Sequence, residues 1–124
     1  LHQLLIDDYV LDERIMLQGR IVTKEGIKDI SPALNDISIT RCGSLQIIAL
    51  NIYVNGQFLC KWNADGIIIS TPTGSTGYNL SAGGPILEPT ADMVVITPIC
   101  SHSIKQRPIV ISVDRNIEIK SENE

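Results

Sequence analysis

The residues best suited to chemistry crowd one short stretch. Ser70, Thr71, Thr73, Ser75 and Thr76 fall within seven positions, with Gly74 among them and Gly77 and Tyr78 directly behind. Such a loop offers hydroxyls and backbone N–H groups to a ligand. Its glycines allow the close backbone approach that a side chain would block. If a helix follows, its N-terminus favours anions, ribose or base edges nearby. Two familiar phosphate loops are excluded: no Lys follows Gly77, and no Gly-x-Gly-x-x-Gly occurs. A Gly/Ser/Thr loop is more often a turn with capped ends. The crowding of donors beside an aromatic tilts the reading toward a binding loop. Tyr78 suits stacking on a purine, although an amphipathic surface Tyr is the plainer reading of that residue alone.

Weaker candidates lie elsewhere. Asn35-Asp36 begins a strand after Pro32. Paired amide and carboxylate groups suit ribose hydroxyls, and a carboxylate suits a metal, but Asn-Asp at a strand start is usually turn chemistry. Asp65, in Ala-Asp-Gly, reads first as a turn residue. Ser101-His102-Ser103, with Lys105 and Arg107, places polar groups beside a strand, and one sequence supplies no spatial pairing for a catalytic triad. No Lys or Arg falls between Lys61 and Lys105 to clamp a triphosphate near the loop. Cys42, Cys60 and Cys100 are odd in number, widely spaced and without a Cys-x-x-Cys pair. They read as reduced, partly buried thiols of a cytoplasmic protein rather than a zinc site.

The elements that must position these residues follow from composition. At 124 residues the chain makes one domain. Hydrophobic residues are 44% and charged residues 19%, which excludes a disordered tail. A net charge of −4 argues against a nucleic-acid partner, which calls for a basic surplus. No apolar run reaches the roughly 18 residues of a membrane span. Ile has 21 copies and Val 7, against 5 of Ala, and that bias favours strands. No signal-peptide pattern is present, and a start at Leu1 suggests a piece of something longer.

Residues 1–12 read as a helix end or a lead-in segment. Strands are expected over residues 13–22, 33–40, 44–54, 57–62, 66–71, 93–97, 108–113 and 117–120. Residues 24–26 should turn the chain. Within 44–54, Ile48, Leu50, Ile52 and Val54 share one face. Asn55-Gly56 between two β runs is a strong hairpin signal, and Asp65-Gly66 is a second turn. Residues 66–71 are wholly apolar up to Ser70 and should be buried on both faces. Residues 75–82 suit a short helix, closed by Gly83, Gly84 and Pro85. The expected fold is all-β, mostly antiparallel, with two packed sheets and one short helix.

The run Asp-Gly-Ile-Ile-Ile-Ser-Thr-Pro-Thr-Gly-Ser-Thr-Gly-Tyr-Asn-Leu-Ser-Ala-Gly-Gly-Pro over residues 65–85 closely resembles the signature of NAD kinases. Residues 9–17 resemble the family's lead into its second domain. Ala33-Leu34-Asn35-Asp36 resembles its Asn-Glu/Asp motif. Thr97-Pro98-Ile99-Cys100, His102-Ser103 and Arg107-Pro108-Ile109-Val110 resemble its later strand-and-loop signature. The resemblance implies an enzyme that moves a phosphoryl group from ATP or polyphosphate to the adenosine-ribose 2′-hydroxyl of NAD, with a divalent metal, usually magnesium. It implies a two-domain α/β + β kinase, of which this chain is the C-terminal domain. It also implies dimers or tetramers with shared sites.

Carried onto this chain, the resemblance gives Asn35 and Asp36 to the ribose and adenine side. It gives Thr73 and Thr76 to adenine hydrogen bonds, and Tyr78 to packing on that ring. Asp65 and the Gly77 backbone go to the nicotinamide amide, with Ser81 near the same pocket. Gly77 stands where many relatives have Ala, and Ser101 where Pro is common. The family's general-base Asp lies in a Gly-Gly-Asp-Gly motif that occurs nowhere in this sequence. No catalytic residue or metal ligand is therefore expected in this chain, and closing strands are expected after residue 124. The competing readings are a non-catalytic nucleotide-binding or assembly module of the same fold, and a relative of the lipid kinases.

Overall fold

The computed structural model describes residues 2–43 and 47–122. Nine strands and three single-turn helical segments are found among them. A four-residue helix, α1 (His2–Leu5), precedes a hairpin of β1 (Arg20–Thr23) and β2 (Gly26–Asp29), which forms a two-stranded sheet of its own. Then come β3 (Asp36–Thr40), β4 (Ile48–Val54), β5 (Gln57–Ala64) and β6 (Gly66–Ser70). A 3₁₀ turn (Thr73–Thr76) and α2 (Tyr78–Ser81) follow. The chain ends in β7 (Met93–Ile99), β8 (Ile109–Ser112) and β9 (Ile117–Ser121).

Two antiparallel sheets carry the core. One has the order β3-β6-β7-β8 and the other β5-β4-β9. The β4–β5 hairpin turns at Asn55-Gly56, whose φ angles of 50° and 78° are both positive, as its sequence requires. Leu50 and Ile52 of β4 and Trp62 of β5 meet Ile67, Ile69 and Ile96 of the larger sheet. These side chains are at most 8% exposed. The alternating face of β4 is thus the one its pattern marks. The opposite face of β6 and β7 is also covered. There Ile68 pairs with Thr97 in register, and Asn79 of α2 bonds to Thr97 from above. All five residues of β6 are consequently buried.

Several expectations need correction. The strand expected over 13–22 occupies only Arg20–Thr23, because residues 8–16 lie mostly exposed and pair with no strand among the described residues. Its return strand, β2, has no hydrophobic alternation to betray it; pairing with β1 alone holds it in place. A third, two-stranded sheet therefore joins the two packed ones. The helix expected over 75–82 is split at Gly77, where φ −91° and ψ −125° leave helical space. Asp65 does not fold the chain back; it carries it from the smaller sheet (β5) into the larger (β6). Residues 44–46 of the strand expected over 44–54 lie outside the described residues. Cys42 and Cys100 are exposed, not partly buried; Cys60 alone is intermediate, and burial raises its thiol pKa.

Candidate functional site

The site is built where β6 leaves the sheet. Asp36 pairs with Ser70 in register, so Asn35 lies opposite Thr71 and the loop emerges over the start of β3. The Asn35 carbonyl accepts the Thr71 N–H at 2.9 Å. Gly74 then rides directly over the Asn35 backbone. A Cβ at Gly74 would lie 2.1 Å from the Asn35 carbonyl oxygen, so only glycine permits this approach.

The hydroxyl-rich run divides into two groups. Ser70, Thr71, Ser75 and Asn79 are fully buried. The Thr71 hydroxyl donates to the Leu34 carbonyl at 2.6 Å and accepts the Gly74 N–H at 3.1 Å. Ser75 Oγ donates to the Pro72 carbonyl at 2.7 Å and accepts the Leu87 N–H at 3.0 Å. Asn79 Nδ2 donates to the carbonyls of Ser75 and Pro85, each at 2.9 Å, and Asn79 Oδ1 accepts the Thr97 hydroxyl at 2.6 Å. Every buried side-chain polar atom among the described residues has a partner. These groups are struts, and their capacity is spent inside the protein.

Thr76, Gly77, Tyr78 and Ser81 face outward, and Thr73 is partly exposed. Tyr78 keeps 44% of its surface, so part of its side chain is open to a partner. Asn35 is exposed and Asp36 half-buried at the same end of the sheet. The structure therefore joins Asn35 and Asp36 to the start of the loop through Thr71 and Gly74, and Thr73, Thr76, Gly77 and Tyr78 follow along that loop, with Ser81 at the end of α2.

Asp65 stands apart. It precedes β6, whereas the loop follows it. Six strand steps of about 3.3 Å put Asp65 and Thr71 roughly 20 Å apart. Around Asp65 lie two nitrogen-bearing side chains, Arg41 and His102, that the sequence does not connect to it. Arg41 Nε is 3.7 Å and His102 Nε2 is 3.6 Å from Asp65 Oδ1. The backbone ladder explains the placement, since the Arg41 N–H donates to the Asp65 carbonyl and the Asp65 N–H to that of Ile99.

A second residue absent from the sequence reading is Arg14. Its Nη1 reaches Thr73 Oγ1 at 3.4 Å across 59 positions of sequence. Only the path of residues 8–16 over the loop brings them together, and no local pattern encodes that path. Among the described residues, no three His, Cys, Asp or Glu side chains converge to hold a metal ion.

Comparison with known proteins gives one consistent answer. The family model of the ATP-NAD kinase C-terminal domain matches residues 34–124. An NAD kinase of Lachnospira eligens is 52% identical over 120 residues, covering 97% of this chain and 41% of its own length. One from Agathobacter rectalis is 52% identical over 117 residues, covering 94% and 40%. Among solved structures, yeast NADH kinase in complex with NADH superimposes with a TM-score of 0.89 at 35% identity, covering 96% of this chain and 35% of that one. An NAD kinase from Archaeoglobus fulgidus in complex with ATP superimposes with a TM-score of 0.75 at 31% identity, covering 89% and 42%. The chain thus spans about two-fifths of the length of the curated relatives it matches.

Proposed function

The chain belongs to the NAD kinase family through its C-terminal domain, and from that premise we propose that it forms the dinucleotide-binding wall of an enzyme that makes NADP. In that enzyme a phosphoryl group passes from ATP or polyphosphate to the adenosine-ribose 2′-hydroxyl of NAD. The observation that carries the reading is the division of the loop. Buried struts fix its shape, and an open ring and two hydroxyls are left on its outer side beside Asn35 and Asp36. A flat, half-exposed Tyr78 suits stacking on adenine, and Thr73 and Thr76 suit its edge. Asn35 and Asp36 suit the ribose hydroxyls. The Gly77 backbone and Ser81 lie close enough to border the same ligand.

Asp65 binds the nicotinamide amide in this reading. At roughly 20 Å from the loop it reaches a dinucleotide only if the ligand lies extended along the sheet, or if a second copy of the chain presents its own Asp65. That separation supports a dimer or tetramer with shared sites. A divalent ion, magnesium by resemblance, finds no cage of three side chains among the described residues. Phosphate oxygens and groups outside these residues would have to hold it. The catalytic base likewise lies outside this chain. Phosphoryl transfer rests on positioning and charge stabilisation, and this domain supplies positioning. Three free thiols fit a reducing compartment such as the cytoplasm.

Calorimetric titration of NAD into the full-length protein tests the reading. Tyr78→Ala should weaken binding by about tenfold, the size of one lost stacking contact. Unchanged affinity would remove adenine from the loop.

A further inference from the structure

We propose that Arg14 is a positioning residue that makes the Thr73 hydroxyl a hydrogen-bond donor toward the bound base. The inference rests on the reading of the loop as an adenine site and adds to it a polarity.

A threonine hydroxyl can donate once and accept twice, so its role toward a ligand is open until a neighbour fixes it. An arginine only donates. Arg14 is held in place by Asp12, whose Oδ2 accepts from Arg14 Nε at 2.9 Å and from Nη2 at 2.5 Å. This fork leaves Nη1 pointing to Thr73 Oγ1 at 3.4 Å, at the long end of hydrogen-bond range. With a cation donating to it, Oγ1 is an acceptor on that side and its own proton turns away. Among the described residues no acceptor takes that proton. It is left for the ligand. The ligand atom opposite Thr73 is then an acceptor. On adenine that means a ring nitrogen, because the 6-amino group only donates and would leave the hydroxyl proton without an acceptor. The sequence between Lys61 and Lys105 holds no Lys or Arg, so the loop takes this cation from a distant segment.

The distinguishing probe is a dinucleotide with one adenine ring nitrogen replaced by C–H. The 1-, 3- and 7-deaza forms of NAD are titrated in turn into the full-length protein, its Arg14→Met variant and its Thr73→Val variant. One deaza form should bind the native protein about tenfold more weakly than NAD, the size of one hydrogen bond. In Arg14→Met, NAD itself should weaken several-fold, and the gap between NAD and that deaza form should shrink by the same factor. In Thr73→Val the gap should vanish. The melting temperature of Arg14→Met should stay near native, because Arg14 is a surface residue. A full gap in Arg14→Met, an equal loss for all four ligands, or no gap in the native protein would overturn the proposal. If Tyr78→Ala and Thr76→Val also leave NAD affinity untouched, the adenine reading fails with it. If those two weaken binding while Arg14→Met does not, only the role of Arg14 fails.

Discussion

The inner and outer sides of the loop after β6 use the same residue types for opposite ends. On the inner side, Thr71, Ser75 and Asn79 have no exposed surface, and each bridges backbone groups that would otherwise be stranded. On the outer side, Thr76 and Tyr78 are exposed, and among the described residues their side chains make no hydrogen bond. The difference teaches that a binding loop rich in hydroxyls is not a reservoir of ligands in general. Three of its five serine and threonine hydroxyls are consumed in holding the other two in place. Rigidity of this kind lowers the entropic cost of ligand binding, because the loop is ordered before the ligand arrives.

The comparison predicts that inner substitutions cost stability and outer ones cost affinity. Asn79→Ala should have the largest effect. It strands the Thr97 hydroxyl and the Ser75 carbonyl in a closed interior and takes the partner from the part-buried Pro85 carbonyl. Each unsatisfied buried group costs about 1–3 kcal/mol, with some relief from relaxation, so a net loss of about 3 kcal/mol is expected. Thermal unfolding of the full-length protein should show a fall of roughly 6–12 °C, at about 2–4 °C per kcal/mol. A melting point within a degree of native would break the division between the two sides.

Gly74→Ala should come next. The new methyl would meet the Asn35 carbonyl, which is backbone and cannot swing aside. Overpacking of this kind costs about 1–3 kcal/mol. Because Asn35 itself borders the proposed ribose site, this variant should lose NAD affinity as well as stability. It therefore tests whether the two sides are mechanically joined. A variant that melts early yet binds NAD as the native protein does would separate them.

Tyr78→Ala isolates the outer side. Its expected loss is about 1–2 kcal/mol of NAD affinity, with the melting temperature unchanged, since the ring is 44% exposed. A calorimetric titration paired with a thermal scan of one sample reads both quantities. A drop in melting temperature without loss of affinity would make Tyr78 a strut.

Much of this arrangement was legible in the residues and part of it was not, for identifiable reasons. The alternation Ile48, Leu50, Ile52, Val54 and the Asn55-Gly56 turn are local signals, and both appear where they point. The hydrophobic run after Asp65 marked a strand buried on both faces, and β6 is one. The division of the hydroxyls was hidden. Thr71 and Thr73 are chemically the same and two positions apart, and only the carbonyls of Leu34 and Asn35 decide which is consumed. Those carbonyls arrive through the β3–β6 pairing, with β4 and β5 between them in sequence. Arg14 was hidden for the same reason on a longer scale. The return strand β2 was missed because every residue in it is exposed, so no buried face imposed an alternation.

The smallest predicted effect belongs to Asp65, which lies on neither side of the loop. Its carboxylate sits 3.6–3.7 Å from His102 and Arg41 and is 27% exposed. Partly exposed pairs at that distance contribute little to stability, about 0–1 kcal/mol. Asp65→Asn keeps the size of the side chain and one acceptor oxygen. It also keeps the backbone bonds to Arg41 and Ile99, which hold the corner between the sheets. The fold should therefore be unmoved. What changes is the charge of the acceptor that would meet the nicotinamide amide. A hydrogen bond to a charged acceptor is stronger than one to a neutral amide by about 1 kcal/mol, which corresponds to roughly fivefold in KM for NAD. The adenine-ribose hydroxyl that accepts phosphate lies at the far end of the dinucleotide, so kcat should fall by less than KM rises. A loss confined to kcat, with KM for NAD untouched, would place Asp65 in the chemistry of transfer instead of in binding. A fall of several degrees in melting temperature would make it a structural corner, and the distinction between the two ends of β6 would then be one of folding alone.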